Sequence, residues 1–390
     1  MAGWPLEELG GKTTLEAADT PVMDRLAEKA EIGMASMVPE DMAPGSDTAN
    51  LSVMGYDPKI YYTGRSPLEA LSIGVDMADD DVSFRCNLVT LSEKEDKYED
   101  RHMIDHSSSE ISTEDAEILL EALKQGLARE GYAFYAGTSY RHLLVWSHGE
   151  VSELTPPHDI LTKRVGDYLP EDRVLREMME KSYEILSAHP LNKERRAKGL
   201  HPANSAWFWG AGTRPALTSF EERTGKKGVM ISAVDLLKGL AVGADMERIL
   251  VEGANGGLHT NYEGKADAAA DALLTGGFDF AYVHVEAPDE MGHQGSIERK
   301  IQAIENLDQR VIRIVREAMD ASGEDYRLLV LPDHPTPIRV RTHTADPVPY
   351  LLYDSTDRQS HSWHYNEREA AESGNDRGEG YRMMSYLLRP

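Results

Sequence analysis

Hydrophobic positions along the chain fall into short compact runs separated by longer helical repeats. Phe278-Asp279-Phe280-Ala281-Tyr282-Val283-His284-Val285 and Arg327-Leu328-Leu329-Val330-Leu331 are aromatic, aliphatic and β-branched, the pattern of buried strands in a covered parallel sheet. Between them Ile297, Ile301, Ile304, Leu307, Val311, Ile314 and Val315 recur at helical spacing. The stretch therefore predicts a strand, helix, strand crossover. Further strands are expected at 206–209, 228–231, 248–251 and 347–353, alternating with helices, and a last helix near 380–388. The start differs, since residues 1–6 pass straight into loop and 14–30 predicts a helix.

From residue 79 the pattern changes. Polar, acidic stretches at 79–82 and 91–110 lead to a helix opening at Thr113, marked by Ser112 with Asp115 three residues on, and running to about Arg129. Segments 131–135 and 141–147 have the pattern of paired strands. The expected organisation is α/β, with residues 1–78 and 198–390 forming one domain and 79–197 a smaller inserted α+β domain placed to act as a lid.

Charge narrows the partners. The 390 residues hold 67 acidic and 41 basic side chains, a formal charge of -26, which argues against nucleic acid and against an anionic membrane surface. A small anionic substrate needs only a local basic pocket and stays open. Cys86 is the single cysteine, so no internal disulfide forms and a reducing, cytoplasmic setting is expected. It lies in a strand-like run and is expected in the core. No apolar stretch approaches the roughly 20 residues of a membrane span, and residues 1–11 do not have the pattern of a secretory signal.

The chemistry gathers after the two strands of the crossover. Asp289 and His293 follow the first, Asp333 and His334 the second, and His343 comes shortly after. Ligands bind at the carboxyl ends of strands in open α/β sheets, so these five side chains predict a two-metal site. Mixed carboxylate and imidazole donors suit manganese or zinc better than calcium. Ser46 follows the loop 39–45 at an expected helix start, where free amides would stabilise an alkoxide or a phosphoryl group. The plain alternative is an N-cap serine; coordination would favour the nucleophile. Arg65, Arg141, Arg214, Lys265 and Arg339 are candidates to grip an anion. His142, His158 and Asp159, the last two in a rigid Pro-rich loop, are further candidates for substrate contact.

Residues 43–52, 61–67, 286–293, 331–337 and 341–349 resemble the archaeal-type, cofactor-independent (2,3-bisphosphoglycerate-independent) phosphoglycerate mutases, within the alkaline phosphatase-like superfamily. The likeness extends over nearly the whole chain, insertion included. It implies an alkaline phosphatase-like doubly wound, mostly parallel sheet with the insertion as lid. It also implies that Ser46 carries the phosphoryl group between 3-phosphoglycerate and 2-phosphoglycerate. By the same matching Asp289, His293 and His343 would hold one divalent ion, and Asp333, His334 and Ser46 the other. Manganese is the first choice of metal, zinc or magnesium the alternatives, and no bisphosphoglycerate is needed. Members of the family open with a strand ending in Asp-Gly-Met, and Met1 matches that methionine. The sequence is therefore expected to be short by about one strand and one ligating aspartate. A metal-dependent phosphatase or other phosphotransferase of the superfamily, or a non-catalytic relative, are the alternative readings. The oligomeric state is left open.

Overall fold

A computed structural model of the chain describes residues 1–357 and 359–389. It divides into two units, Met1–Tyr62 with Ala216–Pro390, and Thr63–Pro215. The described strands are β1 (Glu31–Ser36), β2 (Val82–Leu91), β3 (Met103–Asp105), β4 (Tyr132–Tyr135), β5 (Arg141–Trp146) and β6 (Ser205–Thr213). They continue with β7 (Gly228–Ile231), β8 (Glu247–Arg248), β9 (Phe280–Val283), β10 (Arg327–Val330), β11 (Val348–Asp354) and β12 (Asp376–Glu379).

In the second unit β2 is the central strand, buried along its whole length because β5 and β6 both pair with it antiparallel. β3 and β4 extend that sheet. Helices Thr113–Gly126 and Arg173–Ser187 lay leucine and methionine against it, burying Leu119, Leu120, Leu123, Leu175 and Met179. Trp207 and Phe208 on β6 are in the same core, as is Cys86. The sequence-based boundaries of 79 and 197 therefore fall inside this unit. It starts at Thr63 and keeps β6, because the aromatic run that looked like a return to the first domain pairs with β2. At its two ends the backbones of residues 63–64 and 211–213 lie against each other. Thr63 Oγ1 donates to the Thr213 carbonyl at 2.6 Å, and a side chain at Gly64 or Gly212 would collide with the opposite backbone. Gly64 has φ +132°, a conformation that costs only glycine nothing.

The first unit holds two sheets. β7 is flanked by β8 and β9, all parallel, while β10-β11-β1-β12 forms the other, with antiparallel β10/β11 and β11/β1 and parallel β1/β12. The mixed α/β architecture is the one expected. The single mostly parallel sheet, also expected, is not found: no described strand joins β9 to β10, and β11 runs antiparallel to β10.

The crossover between β9 and β10 is helical as predicted, with a twist. Ile297–Leu307 passes through a π-turn at Asp308–Ile312 into Arg313–Ser322. The fully buried Asp308 of that turn accepts the amides of Met23 at 2.7 Å and Val22 at 3.2 Å, capping the helix Pro21–Ala27. The single helix expected over 14–30 is thus two, Thr14–Ala17 and Pro21–Ala27. Pro21 cannot donate to an earlier turn, and Thr13 with Glu16 closes a capping box on the first. Among the described residues no helix is long and apolar enough to cross a membrane.

Candidate active site

Ser46 is the first residue of the helix Ser46–Val53, and its N-cap is Gly45. The serine is therefore not the cap. Its Oγ instead faces His334 Nε2 at 3.1 Å. One turn on, the fully buried Asn50 donates from Nδ2 to the Ser46 carbonyl at 2.8 Å and to Asp333 Oδ2 at 2.9 Å. Its Oδ1 accepts from the Tyr282 hydroxyl at 2.5 Å. One amide thus pins the serine helix to β9 and to the residues just past β10.

Asp289 and His293 are four residues apart in the helix Ala287–His293, which brings them to one face. Asp289 lies 3.3 Å from His293 Nε2 and 3.5 Å from His343 Nε2, and the two imidazole nitrogens are 2.9 Å apart. Thr336 donates its hydroxyl to Asp289. The His334 ring lies against His343 with centroids 3.8 Å apart and planes tilted by 34°, and its Nε2 is 3.4 Å from Asp333. Ligand atoms of Asp289, His334 and His343 all lie within 4.8 Å of one another. His334, which the resemblance gives to the second ion, thus stands beside Asp289 and His343, which it gives to the first.

This donor set fits a divalent cation. His293 Nδ1 is 2.9 Å from the Arg341 carbonyl, and a carbonyl only accepts, so Nδ1 carries a proton. In the neutral ring Nε2 then presents its lone pair toward Asp289 and His343, as a ligating histidine does.

Electrostatics agree. Burial alone would raise Asp289, but hydrogen bonds from His293 and His343 hold its carboxyl well below the usual range. The same carboxylate raises His293 to about 9, so without a cation that ring keeps a proton that a metal would displace. Burial opposes ionisation of Asp333, yet His334 and His284 lower it. Burial lowers His334 and takes His284 to about 4. Glu286 is pushed up to about 7 by burial and by Asp289 and Glu290.

Lys265 sits in a helix opened by Asn261, as its sequence suggested. Its ammonium, however, turns inward: the side chain is 1% exposed and donates to the His284 carbonyl at 2.9 Å, supporting the strand that leads to Asp289. Arg339 is exposed and lies 4.0 Å from Glu7.

In the second unit the remaining candidates separate. His158 packs edge-on against Trp209, centroids 5.4 Å apart, and against His106 at 6.1 Å. Arg85, 5% exposed, lies 4.5 Å above the same Trp209. Glu69 stands 3.2 Å from Arg65 and 3.1 Å from Arg85, though its angle to Arg85 leaves that Nε without a hydrogen bond. Asp159 is exposed beside His158 at 3.7 Å. Arg141 is exposed and reaches the Tyr140 hydroxyl at 3.2 Å. Arg214 donates to the Met77 carbonyl at 3.0 Å. His142 is buried within β5 and accepts from the Gly137 amide. Sequence reasoning missed Arg85, His106, Asn50 and Thr336. Asn50 and Thr336 lay inside motifs already singled out, whereas Arg85 was masked by its place in an apolar strand beside Cys86.

Comparison with known proteins gives a consistent result. The family model for 2,3-bisphosphoglycerate-independent phosphoglycerate mutase matches residues 27–192. A protein of that name from Methanosarcina acetivorans is 48% identical over 379 residues, covering 96% of this chain and 93% of its own. A probable one from Geobacter sulfurreducens is 45% identical, covering 100% and 97%. Among solved structures, the PH0037 protein from Pyrococcus horikoshii superposes with TM-score 0.81 at 30% identity, over 100% of this chain and 94% of its own. The cofactor-independent phosphoglycerate mutase from Thermoplasma acidophilum gives 0.64 at 27%, over 100% and 96%. Such relatives are named as phosphoglycerate mutases, which are isomerases. More narrowly, this chain belongs to the 2,3-bisphosphoglycerate-independent phosphoglycerate mutase family.

Proposed function

We propose that the protein interconverts 3-phosphoglycerate and 2-phosphoglycerate through a phosphoserine at Ser46, with divalent cations and without bisphosphoglycerate. The observation that carries this is the Ser46 hydroxyl, 3.1 Å from His334 in the first turn of its helix and thus beside the cluster of Asp289, His334 and His343. Bound cations, manganese first and zinc or magnesium as alternatives, would neutralise phosphoryl oxygens and favour the serine alkoxide.

In this reading Asp289, His293, His343, Asp333, His334 and Ser46 hold the metals. Asn50 orients the serine helix against Asp333. Ser46 Oγ forms a bond to phosphorus as the bond to the glycerate oxygen breaks, and that oxygen takes up a proton. Return transfer to the other glycerate hydroxyl reverses these changes and frees the serine. Positioning and charge neutralisation account for most of such a rate enhancement. The fold assigned is alkaline phosphatase-like, and the second unit serves as lid, excluding water so that transfer outruns hydrolysis. Arg65, Arg85, Arg141, His158 and Asp159 are its candidates for holding phosphoglycerate, while Arg214 and Lys265 act through the backbone they support. A cytoplasmic setting is supported by the single, buried Cys86.

Incubation of the metal-loaded protein with 3-phosphoglycerate tests the proposal. Formation of 2-phosphoglycerate, with a phosphate on the Ser46 peptide by mass spectrometry and neither in Ser46→Ala, is the expected result. Free phosphate alone would make the protein a hydrolase, and absence of both products would make it a non-catalytic relative.

A further inference from the structure

Two buried groups beside the ligand cluster have no part in the reaction as described, the Lys300 ammonium and the Thr336 hydroxyl. Lys300 belongs to the helix Ile297–Leu307 and is 0% exposed. Taking an ammonium out of water is costly, and a methionine would fill similar space without that cost. Burial accordingly lowers Lys300 to about 8, with Asp289 and Glu367 acting against it. What the lysine adds is a charged donor. Its Nζ donates to the Thr336 carbonyl at 2.7 Å and to the Ala2 carbonyl at 3.0 Å, and the Thr336 amide donates to the same Ala2 carbonyl at 3.2 Å.

The backbone of Thr336 is thereby held at both its amide and its carbonyl, the latter by a charge-assisted bond, the stronger kind. The helix that carries Asp289 and His293 closes in from another side. A Cβ at its Gly292 would stand 2.7 Å from the Thr336 carbonyl oxygen and 3.0 Å from its Cγ2. Wedged in this way, the threonine has no room to turn.

Its side chain, 2% exposed, meets two candidate ligands at once. A hydroxyl carries one proton and can also accept. That proton goes to Asp289 Oδ1, because an ionised carboxylate only accepts. Toward His334 Nδ1, 3.5 Å away, the same oxygen is left to accept, so Nδ1 carries the proton of the neutral ring. His334 Nε2 consequently presents its lone pair on the side where Ser46 Oγ lies at 3.1 Å. Asp289 keeps its second oxygen toward His293 Nε2 at 3.3 Å.

We propose that Thr336, locked in place by Lys300, is a positioning residue of the cation site. Its one hydroxyl fixes both the rotation of the Asp289 carboxylate and the tautomer of His334, so that both side chains arrive with lone pairs free for a divalent ion. This inference rests on the cation reading given above.

The test is manganese binding to the folded protein, followed by the electron paramagnetic resonance of free manganese, with circular dichroism as the check on folding. Thr336→Val is expected to weaken binding by about 10–100-fold, the usual effect of losing a group that orients a ligand, and Thr336→Ser, which keeps the hydroxyl, should restore it. Lys300→Met should weaken it too, and the double variant should bind no more weakly than Thr336→Val alone, because Lys300 acts through Thr336. Lys300→Gln replaces Lys300→Met if the latter does not fold. A residue that served stability alone would change the melting temperature and leave manganese affinity as it was. Wild-type affinity in Thr336→Val, no recovery in Thr336→Ser, or additive losses in the double variant would overturn the proposal while leaving the cation reading intact. Wild-type protein that binds no manganese, zinc or magnesium would remove that reading and the proposal with it.

Discussion

Replacing Asn50 by alanine removes a side chain that ties the serine helix both to Tyr282 on β9 and to Asp333 just past β10. Three hydrogen bonds go: those to the Ser46 carbonyl and from the Tyr282 hydroxyl, and one to the Asp333 carboxylate. Neutral bonds contribute ~0.5–1.5 kcal/mol each and one to a charged group ~1.5–3, so the loss should be roughly 2.5–6 kcal/mol. That is a large part of the ~5–15 kcal/mol that holds an ordinary domain together. Urea unfolding followed by tryptophan fluorescence and far-ultraviolet circular dichroism would measure it as a lower midpoint at unchanged slope. Mutase activity should fall further than the folded fraction does, because Ser46 and Asp333 lose their common anchor. Asn50→Asp should be worse at pH 8 than at pH 5. Its carboxylate would face Asp333, the crowding raises the folded-state pKa, and stability then declines as pH rises. A loss below about 1 kcal/mol in Asn50→Ala, with activity intact, would refute the assignment of Asn50 as the tie.

Three further outcomes are expected. Removing metal with EDTA should lower the melting temperature and added manganese restore it, with a gain near 2.7 kcal/mol at a hundredfold excess over Kd; differential scanning calorimetry that shows no dependence on metal would count against the ligand cluster. In the second unit, burial would raise Asp105, but hydrogen bonds from His201, Ser107 and Ser109 prevail and hold it at about 2; a depressed carboxyl stabilises above its unfolded pKa, so roughly 2 kcal/mol should be lost as pH falls from about 4 to 2 and not in Asp105→Asn, as acid titration of the melt will show. Arg85→Met should raise KM for phosphoglycerate at least tenfold with a smaller effect on kcat, and steady-state kinetics giving an unchanged KM would remove Arg85 from substrate binding.

Much of the first unit was legible because its strands are short apolar runs followed at once by the candidate ligands. Asp289 and His293 at helical spacing, and Asp333 and His334 past the next strand, carry their geometry in their order. What could not be read is where local pattern yields to tertiary pairing. Trp207 and Phe208 on β6 look the same whether they pack in one unit or the other, and only pairing with β2 decides. Val348–Asp354 was recognisable as a strand, but nothing in its composition states that it runs antiparallel to β10. Lys265 was placed on the right helix and given the wrong direction, since a buried ammonium bonded to the His284 carbonyl leaves no periodic trace. The expected parallel sheet was likewise a statement about partners, which single runs of hydrophobic residues do not contain.

The paired backbones at residues 63–64 and 211–213 make a narrow neck where the inserted unit leaves and rejoins the chain. Excising the segment between them leaves two ends already side by side, so a linker of two or three residues would reseal the polypeptide. Such a neck lets the whole inserted unit be exchanged in one genetic event while the rest of the chain stays unaltered.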